Sequence, residues 1–435
     1  MMNKYESYQD TDNWYGCIPC SWENHRIKRL FALRDERSYL PLSEVNLISL
    51  YSSIGVRQHS DIEHTTGNRA RSADGYKIVH RDDIIVNILL CWMGAIGRSD
   101  YDGVTSPAYD VYMPRKGVNS QYYHYLFRTT AFSGECYKAG KGIMAMRWRT
   151  YSPQFMDITV PVPPRAEQDQ IVRFLDWKVS EINKKISLKR QSLDLLKELV
   201  NSAFATLISS AFEKVRLKRV ASLESDYIEI NPDDYYKKAG MYNRGRGIFL
   251  RDPIKGTEMG DSKFQRIHSD RLMISGQFAW EDAVFVTSPK DEEGVASHRY
   301  YLLKSINHDV PVEFLFGYFL SQKGFSDLKQ CSHGSAGRNR PLNINELLRI
   351  EVPIVHDHEA VSKLCNLVHA YMAMRPIVLH EEAILGELRN RIISDVVTGK
   401  IDVRNVTVPE YEHVDDIVDD DSEDNEETKT DGEEA

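Results

Sequence analysis

The stretch Phe155-Met-Asp-Ile-Thr-Val-Pro161 comes back 192 residues later as Leu347-Leu-Arg-Ile-Glu-Val-Pro353. Each copy carries an apolar, β-branched run that stops at proline. Each is followed by a glutamate, Glu167 or Glu359, that opens a helical pattern. Outward from these copies the echo continues. Arg147-Trp-Arg149 returns as Arg338-Asn-Arg340, Ser106-Pro-Ala-Tyr109 as Ser297-His-Arg-Tyr300, and Arg26-Ile-Lys-Arg-Leu30 as Arg216-Leu-Lys-Arg-Val220. The offset drifts smoothly from 190 to 192, so the halves differ by small insertions. A period this long is a domain duplication and not a solenoid. Two like halves suggest a pseudo-twofold protein that reads two sites of the same kind.

After each copy the texture changes. Apolar residues recur at Ile171, Leu175, Val179, Ile182, Ile186, Leu193, Leu196, Val200 and Leu207, mostly three or four apart. This predicts a long amphipathic helix over 166–212 with a stripe narrow enough for coiled-coil packing. Pro163-Pro164 precede it and do not interrupt it. The stripe resumes at Val361, Leu364, Val368, Tyr371, Val378, Leu385, Leu388 and Ile392, and Gly399 stands where a C-cap is wanted. Pro376 lies inside this second stripe, where it predicts a lost hydrogen bond and a kink. Neither stripe is stable exposed to water, and the simplest burial is one helix against the other. If the halves are related by a twofold, the helices run antiparallel and act as a spacer.

The expected architecture is mixed α/β: globular domains at 1–165 and 213–355, a central helix at 166–212, a distal helix at 356–405, and an acidic disordered tail at 406–435. The packing residues expected between the helices are Ile171, Leu175, Ile182, Ile186, Leu193, Leu196 and Val200 on the first. On the second they are Leu364, Val368, Val378, Leu385, Leu388 and Ile392.

A chain of 435 residues has room for two or three domains with full cores. Its 42% apolar and 27% charged residues are ordinary for a globular protein. No apolar stretch approaches membrane-spanning length, and the N-terminus lacks a signal-peptide core, so the expectation is cytoplasmic with no membrane. Six scattered cysteines fit reduced thiols. The net charge of −9 hides an asymmetry: the segment from Glu410 accounts for −13 and residues 1–409 for +4. The body therefore permits nucleic acid as a partner. The tail is expected either to be solvated or to compete with DNA for the basic surface.

Signs of catalysis are weak. Gly134-Glu-Cys-Tyr-Lys-Ala-Gly-Lys-Gly142 misses a phosphate loop, with glycine spacing one too long and Gly142 where a Ser or Thr is required. Cys17-x-x-Cys20 has no second pair to complete a metal tetrahedron, so no metal site is expected. Asn231-Pro-Asp-Asp-Tyr235 reads as a turn. No catalytic residue and no cofactor are assigned to the chain itself.

Candidates for DNA contact are cation and glycine loops. Lys138, Lys141, Arg147 and Arg149 close the first domain, and Arg338, Asn339 and Arg340 hold the counterpart in the second. Arg244 and Arg246 sit in Tyr242-Asn-Arg-Gly-Arg-Gly247, Asn68, Arg69 and Arg71 in a polar loop, and Gln277 beside Trp280. Cations and glycine amides approach phosphates, and Arg or Gln read base edges. Each group has a plain alternative, namely a solvated loop, a tie between domain and helix, or a tryptophan in the core.

The alternation of globule, helix, globule and helix resembles the specificity subunit of type I restriction–modification systems up to about residue 405. The marks are Val160-Pro-Val-Pro-Pro164 with Glu167-Gln168, the closing Val397-Thr-Gly-Lys-Ile-Asp-Val403, the opening Trp14-Tyr-Gly-Cys-Ile-Pro19 with Trp22, and Val86-Asn-Ile-Leu-Leu-Cys-Trp-Met-Gly94. Ser275-Gly-Gln-Phe-Ala-Trp-Glu281 and Gly337-Arg-Asn-Arg-Pro-Leu-Asn343 join them. The first helix lacks the Thr-Gly-Lys signature at its end, and the second half lacks the Pro-Pro and Glu-Gln pairs. The resemblance implies a noncatalytic chain whose two target-recognition domains each read one half of a gapped sequence in double-stranded DNA. Two antiparallel helices would set the gap and dock two modification methyltransferase subunits. Restriction motor-nuclease subunits would join, with S-adenosylmethionine, ATP and magnesium held only by these partners. Two other readings remain open: a structural adaptor that binds proteins on a helical rod, and a self-sufficient DNA methyltransferase or nuclease.

Overall fold

The structure is a computed structural model. It describes residues 4–52, 54–61, 73–142, 148–209, 213–243, 245–334 and 340–415. The chain divides into two compact units, one made of residues 1–187 with 382–435 and the other of residues 188–381.

In the first unit a four-stranded antiparallel sheet runs in the order Ile96–Arg98, Ile84–Asn87, Tyr109–Pro114, Phe31–Arg34. The strand Ile84–Asn87 is buried along its whole length, because both faces of the sheet are covered. Ile84 and Val86 join Phe31, Tyr112, Tyr123 and Phe127 on one side. Ile85 joins Ile48, Leu50, Val56, Val79 and Val111 on the other. The period-two geometry of a strand sorts alternate residues into the two cores.

The second unit repeats this plan. Its sheet runs in the order Val284–Val286, Leu272–Ser275, Tyr300–Ser305, Ala221–Glu224. Leu272 and Ile274 face the larger core, while Met273 and Leu302 face a smaller one. Short ribbons pair Thr159–Val162 with Glu23–Arg26 in the first unit and Glu351–Ile354 with Glu213–Arg216 in the second. The repeated Val-Pro segments of the sequence are the strands of these ribbons.

The long helices are Arg165–Ser209 and His358–Val397. In the first unit Ile171, Phe174, Leu175, Ile182 and Ile186 share a core with Ile392, Val396 and Val397. In the second unit Val200, Phe204 and Leu207 share a core with Val361, Leu364, Val368 and Tyr371. Within each unit the early part of one helix therefore meets the late part of the other, the pairing of antiparallel helices. Val378 is buried, and Leu193, Leu196 and Leu385 are half-buried against these cores. Leu388, expected in the stripe, is instead 45% exposed. Counting by threes and fours holds only approximately over ten turns, because an α-helix advances 3.6 residues per turn and the apolar stripe drifts around it.

Helix His358–Val397 continues through Pro376. The side chain before it, Arg375, is 4% exposed, with its guanidinium 5.7 Å from the Phe285 ring and 5.9 Å from Tyr242. Gly247, at φ +102°, lies against this guanidinium, and a Cβ there would come within 2.5 Å of Arg375 Nη1.

Gly399 ends the helix at φ +74°, with Lys400 N–H donating back to Asp395 O at 2.8 Å. The expectation of a solvated tail from residue 406 needs correction for its first ten residues. Gln170 Nε2 donates to Val403 O and Val406 O at 3.0 and 2.7 Å, and Val406 and Val408 pack on the first unit's core. Further along, Lys184 pairs with Glu412 at 2.9 Å, and Asn183 Nδ2 donates to Val414 O and Asp415 O. Counting the charges hid a valine-bearing segment whose backbone carbonyls find donors on the helix.

Candidate nucleic-acid interface

The first unit builds a ring platform where its central strand ends. Asn87 Oδ1 accepts from Leu89 N–H at 2.9 Å and turns the chain into the 3-10 helix Cys91–Met93, which Gly94 closes at φ +84°. The turn fixes Trp92, whose indole N–H donates to Leu89 O at 2.9 Å. The Trp92 ring meets Tyr137 edge-on at 5.8 Å, and Tyr137 stacks on Trp148 at 4.8 Å with planes 18° apart. Trp148 Nε1 donates to Tyr137 O at 3.0 Å.

Tyr137 comes from the helix Thr130–Ala139 and Trp148 from the loop beyond it. A Cβ at Gly140 would lie 2.3 Å from Trp148 Nε1, so only glycine lets the ring close down. The loop stem is zipped by reciprocal Lys141 and Arg149 backbone bonds of 2.9 and 3.0 Å. Thr150 Oγ1 pins it with a buried bond to Cys136 O at 2.8 Å. Lys138 is largely exposed and pairs with Glu135 at 2.6 Å. Three rings thus lie beside Lys138, Lys141 and Arg149.

The second unit repeats the strand, the 3-10 turn and its tryptophan, with an arginine in place of the two further rings. The strand Leu272–Ser275 leads into the 3-10 helix Ala279–Glu281. Trp280 Nε1 donates to Gln277 O at 3.1 Å, so Gln277 holds the ring through its backbone carbonyl. Trp280 is half-buried, and the Arg340 guanidinium lies 5.2 Å from its ring centre. The loop carrying Arg340 closes through the bridge Ser332 to Leu342, and His333 pairs with Glu346 at 2.7 Å.

Cations over aromatic faces attract through the ring quadrupole. In a duplex the base faces are already stacked on one another, so such rings meet sugar and groove edges, and sequence is read by neighbouring side chains at base edges. Neighbouring lysines and arginines add phosphate contacts.

Of the sequence candidates, Lys138, Lys141 and Arg149 gather at the first platform, and Gln277 and Arg340 at the second. Arg246 sits elsewhere, its Nε donating to Asn243 O at 2.9 Å and its guanidinium 5.6 Å from the Tyr242 ring. Its loop is tied to the long helix, with Tyr371 Oη donating to Gly245 O at 3.3 Å. Asn68, Arg69, Arg71, Arg147, Arg244, Arg338 and Asn339 lie outside the described residues. Sequence reasoning missed Trp92, Tyr137 and Trp148. The available signal was the recurrence of tryptophan at 92 and 280, 188 residues apart and near the repeat's offset.

Glu167 and Gln168 are structural. Buried Glu167 accepts from Trp22 Nε1 at 3.0 Å and from the Tyr5 hydroxyl. Buried Gln168 takes Asn119 N–H on its Oε1 at 3.0 Å and donates to Pro163 O at 2.8 Å. Together they bolt the start of the long helix to the N-terminal segment and to the helix Ser120–Phe127.

The fold is a duplicated sheet domain joined by two long antiparallel helices, with an aromatic and cationic platform in each unit. No family model matches the sequence, and no curated relative matches it. Among solved structures, a chain from a study of complex assembly and conformational transition in the type I R-M system shares this fold. It is 15% identical at a TM-score of 0.52, over 87% of this chain and 98% of that one. The HsdS subunit from Thermoanaerobacter tengcongensis is 15% identical over 88% of this chain and 98% of its own, at a TM-score of 0.39. The type-I restriction-modification system S subunit from M. genitalium is 12% identical over 86% and 96%, at 0.46.

Proposed function

We propose that this chain is the noncatalytic DNA-specificity subunit of a type I restriction–modification complex. The observation that carries the reading is the doubled platform, Trp92 with Tyr137, Trp148 and the Lys141–Arg149 stem in one unit, Trp280 with Arg340 in the other. Each platform reads one half of a gapped sequence in double-stranded DNA, and the two long helices set the gap. The fold shared with a chain of the type I R-M system supports it.

The helices also carry apolar side chains toward solvent. Leu188, Leu195 and Leu199 are each more than half exposed, as is Ile377; Ile384 and Leu388 are also exposed. Positions 188, 195 and 199 lie close to one line along a helix. These faces dock two modification methyltransferase subunits, and motor-nuclease subunits join for restriction. S-adenosylmethionine, ATP and magnesium belong to those partners, and the complex works in the cytoplasm. Among the described residues no helix is long and apolar enough to cross a membrane.

Modified-base sequencing of a methylation-free host expressing this chain with its neighbouring methyltransferase tests the reading. Methylated adenines in one gapped two-part motif, lost when this chain is omitted, are the expected result. A stable complex that leaves no motif would overturn it.

A further inference from the structure

In the first unit a cleft of 680 Å³ lies apart from the ring platform, and four guanidiniums line it, those of Arg57, Arg98, Arg128 and Arg389. Arg128 donates to Ile96 O and Ser52 O, both at 3.1 Å, and Arg98 to Asp82 at 2.8 Å and Asp100 at 2.7 Å. His124 sits among them and accepts Arg98 N–H on Nδ1 at 3.1 Å. Burial, followed by the charges of Arg128, Arg98 and Arg57, holds the His124 ring well below the usual histidine range.

Three carboxylates line the same cleft, Asp100, Asp176 and Asp415. Burial draws the Asp176 carboxyl upward, and it accepts from Tyr125 Oη at 2.7 Å. Asp415 belongs to the acidic C-terminal strap, which supplies one wall through His413, Val414 and Asp415. The strap is seated specifically. The fully buried Asn183 donates to Val414 O and Asp415 O at 3.3 and 3.1 Å, and Lys184 holds Glu412. Without the strap, Asp82, Asp100 and Asp176 would stand against the four guanidiniums. In the sequence Asp416 and Asp419-Asp-Asp421 follow directly.

We propose that this cleft is a phosphate site for duplex DNA, distinct from the base-reading platform, and that the strap Glu410–Asp415 is its intramolecular competitor. Asp415, the strap's carboxylate in the cleft, excludes a phosphate by occupancy and like charge, and Glu410 and Glu412 add to the strap's negative charge. The site contributes sequence-independent affinity, and the strap keeps that affinity low until it is displaced. The inference rests on the reading of the chain as a DNA-binding subunit.

The test measures binding of a labelled random-sequence duplex to the full chain across a salt series. One variant carries Glu410→Gln, Glu412→Gln and Asp415→Asn; a second adds Arg57→Gln and Arg389→Gln. The neutral strap is expected to tighten binding about tenfold at low salt, with the log-log salt slope steeper by about 0.9 per phosphate gained. The arginine changes should return both to the parent values, with the unfolding midpoint lowered by loss of the Arg389–Asn183 bond. Parent-like binding by the neutral-strap variant, with measurable affinity throughout, overturns the competitor and leaves the DNA reading standing. Tightening that survives the arginine changes overturns the cleft as the site. Absence of DNA binding in every variant at low salt overturns this inference and the DNA reading together.

Discussion

Asn183, fully buried on the first long helix, accepts a 3.0 Å hydrogen bond from Nη1 of Arg389 on the second, while its amide nitrogen holds the carbonyls of Val414 and Asp415. One side chain thus joins three segments of the first unit. Asn183→Ala leaves buried polar groups without this partner and should cost about 2–3 kcal/mol. It should also release the strap. Limited proteolysis reads this directly: cleavage between residues 406 and 415 should appear in the variant under conditions that leave the parent chain whole.

Gly399 caps the second long helix at φ +74°, and a Cβ there would meet Pro19 Cδ at 2.4 Å and Trp22 at 3.2 Å. Both the backbone and the space select glycine. Gly399→Ala should destabilise the first unit by more than about 1 kcal/mol. Urea denaturation followed by tryptophan fluorescence checks it, and an unchanged midpoint would contradict the assigned cap.

Asp282 sits in the left-handed region at φ +62°, and burial pushes its carboxyl up to about 6 while Lys197, 3.6 Å away, pulls it down. A carboxyl raised on folding binds its proton more tightly folded than unfolded, so stability falls as pH climbs from the usual carboxylate range through 6. Asp282→Asn removes that charge and tolerates the same backbone. The variant should gain about 1–3 kcal/mol above about pH 7 and nothing near pH 4. Melting curves across that range should converge at the acid end.

Trp148 and Trp280 provide a test of the platforms. Replacing either by alanine should weaken binding to the cognate duplex by about 0.5–2 kcal/mol, as the ring that supports the neighbouring cations is lost. Under the proposed division of labour, Trp148→Ala relaxes one half of the methylated motif and Trp280→Ala the other. Motif sequencing of the two variants would refute the division if both relaxed the same half.

Leu195→Glu with Leu199→Glu alters only exposed side chains. The chain should melt as before yet fail to co-purify with its methyltransferase. Retention of the partner would remove this helix face from the docking surface.

Much of this fold was legible because the duplication let one half check the other. The Val-Pro segments and the helical stripes both fell to period and repetition. The platforms were less so. Trp92, Tyr137 and Trp148 are far apart in sequence, and only the helix Thr130–Ala139 crossing the strand end brings their rings together. Leu388 was misplaced because a stripe counted by spacing ignores rotational drift. The strap was misread because net charge says nothing of backbone carbonyls, and those are what Asn183 and Gln170 hold.

The second unit is one unbroken stretch, residues 188–381, whereas the first is assembled from residues on both sides of it. On the ribosome this sets an order. Ile182 and Ile186 are made long before Ile392 and Val396, the residues that share their core. At about 5–20 residues per second the wait is on the order of 10–40 s. The nested unit is complete only about 0.5–2 s before Ile392 is made, while the earlier-made one stands throughout with an open apolar seam. Chaperones would meet this protein at its first half, and a ribosome stalled between residues 382 and 397 would leave that half, not the second, unfinished.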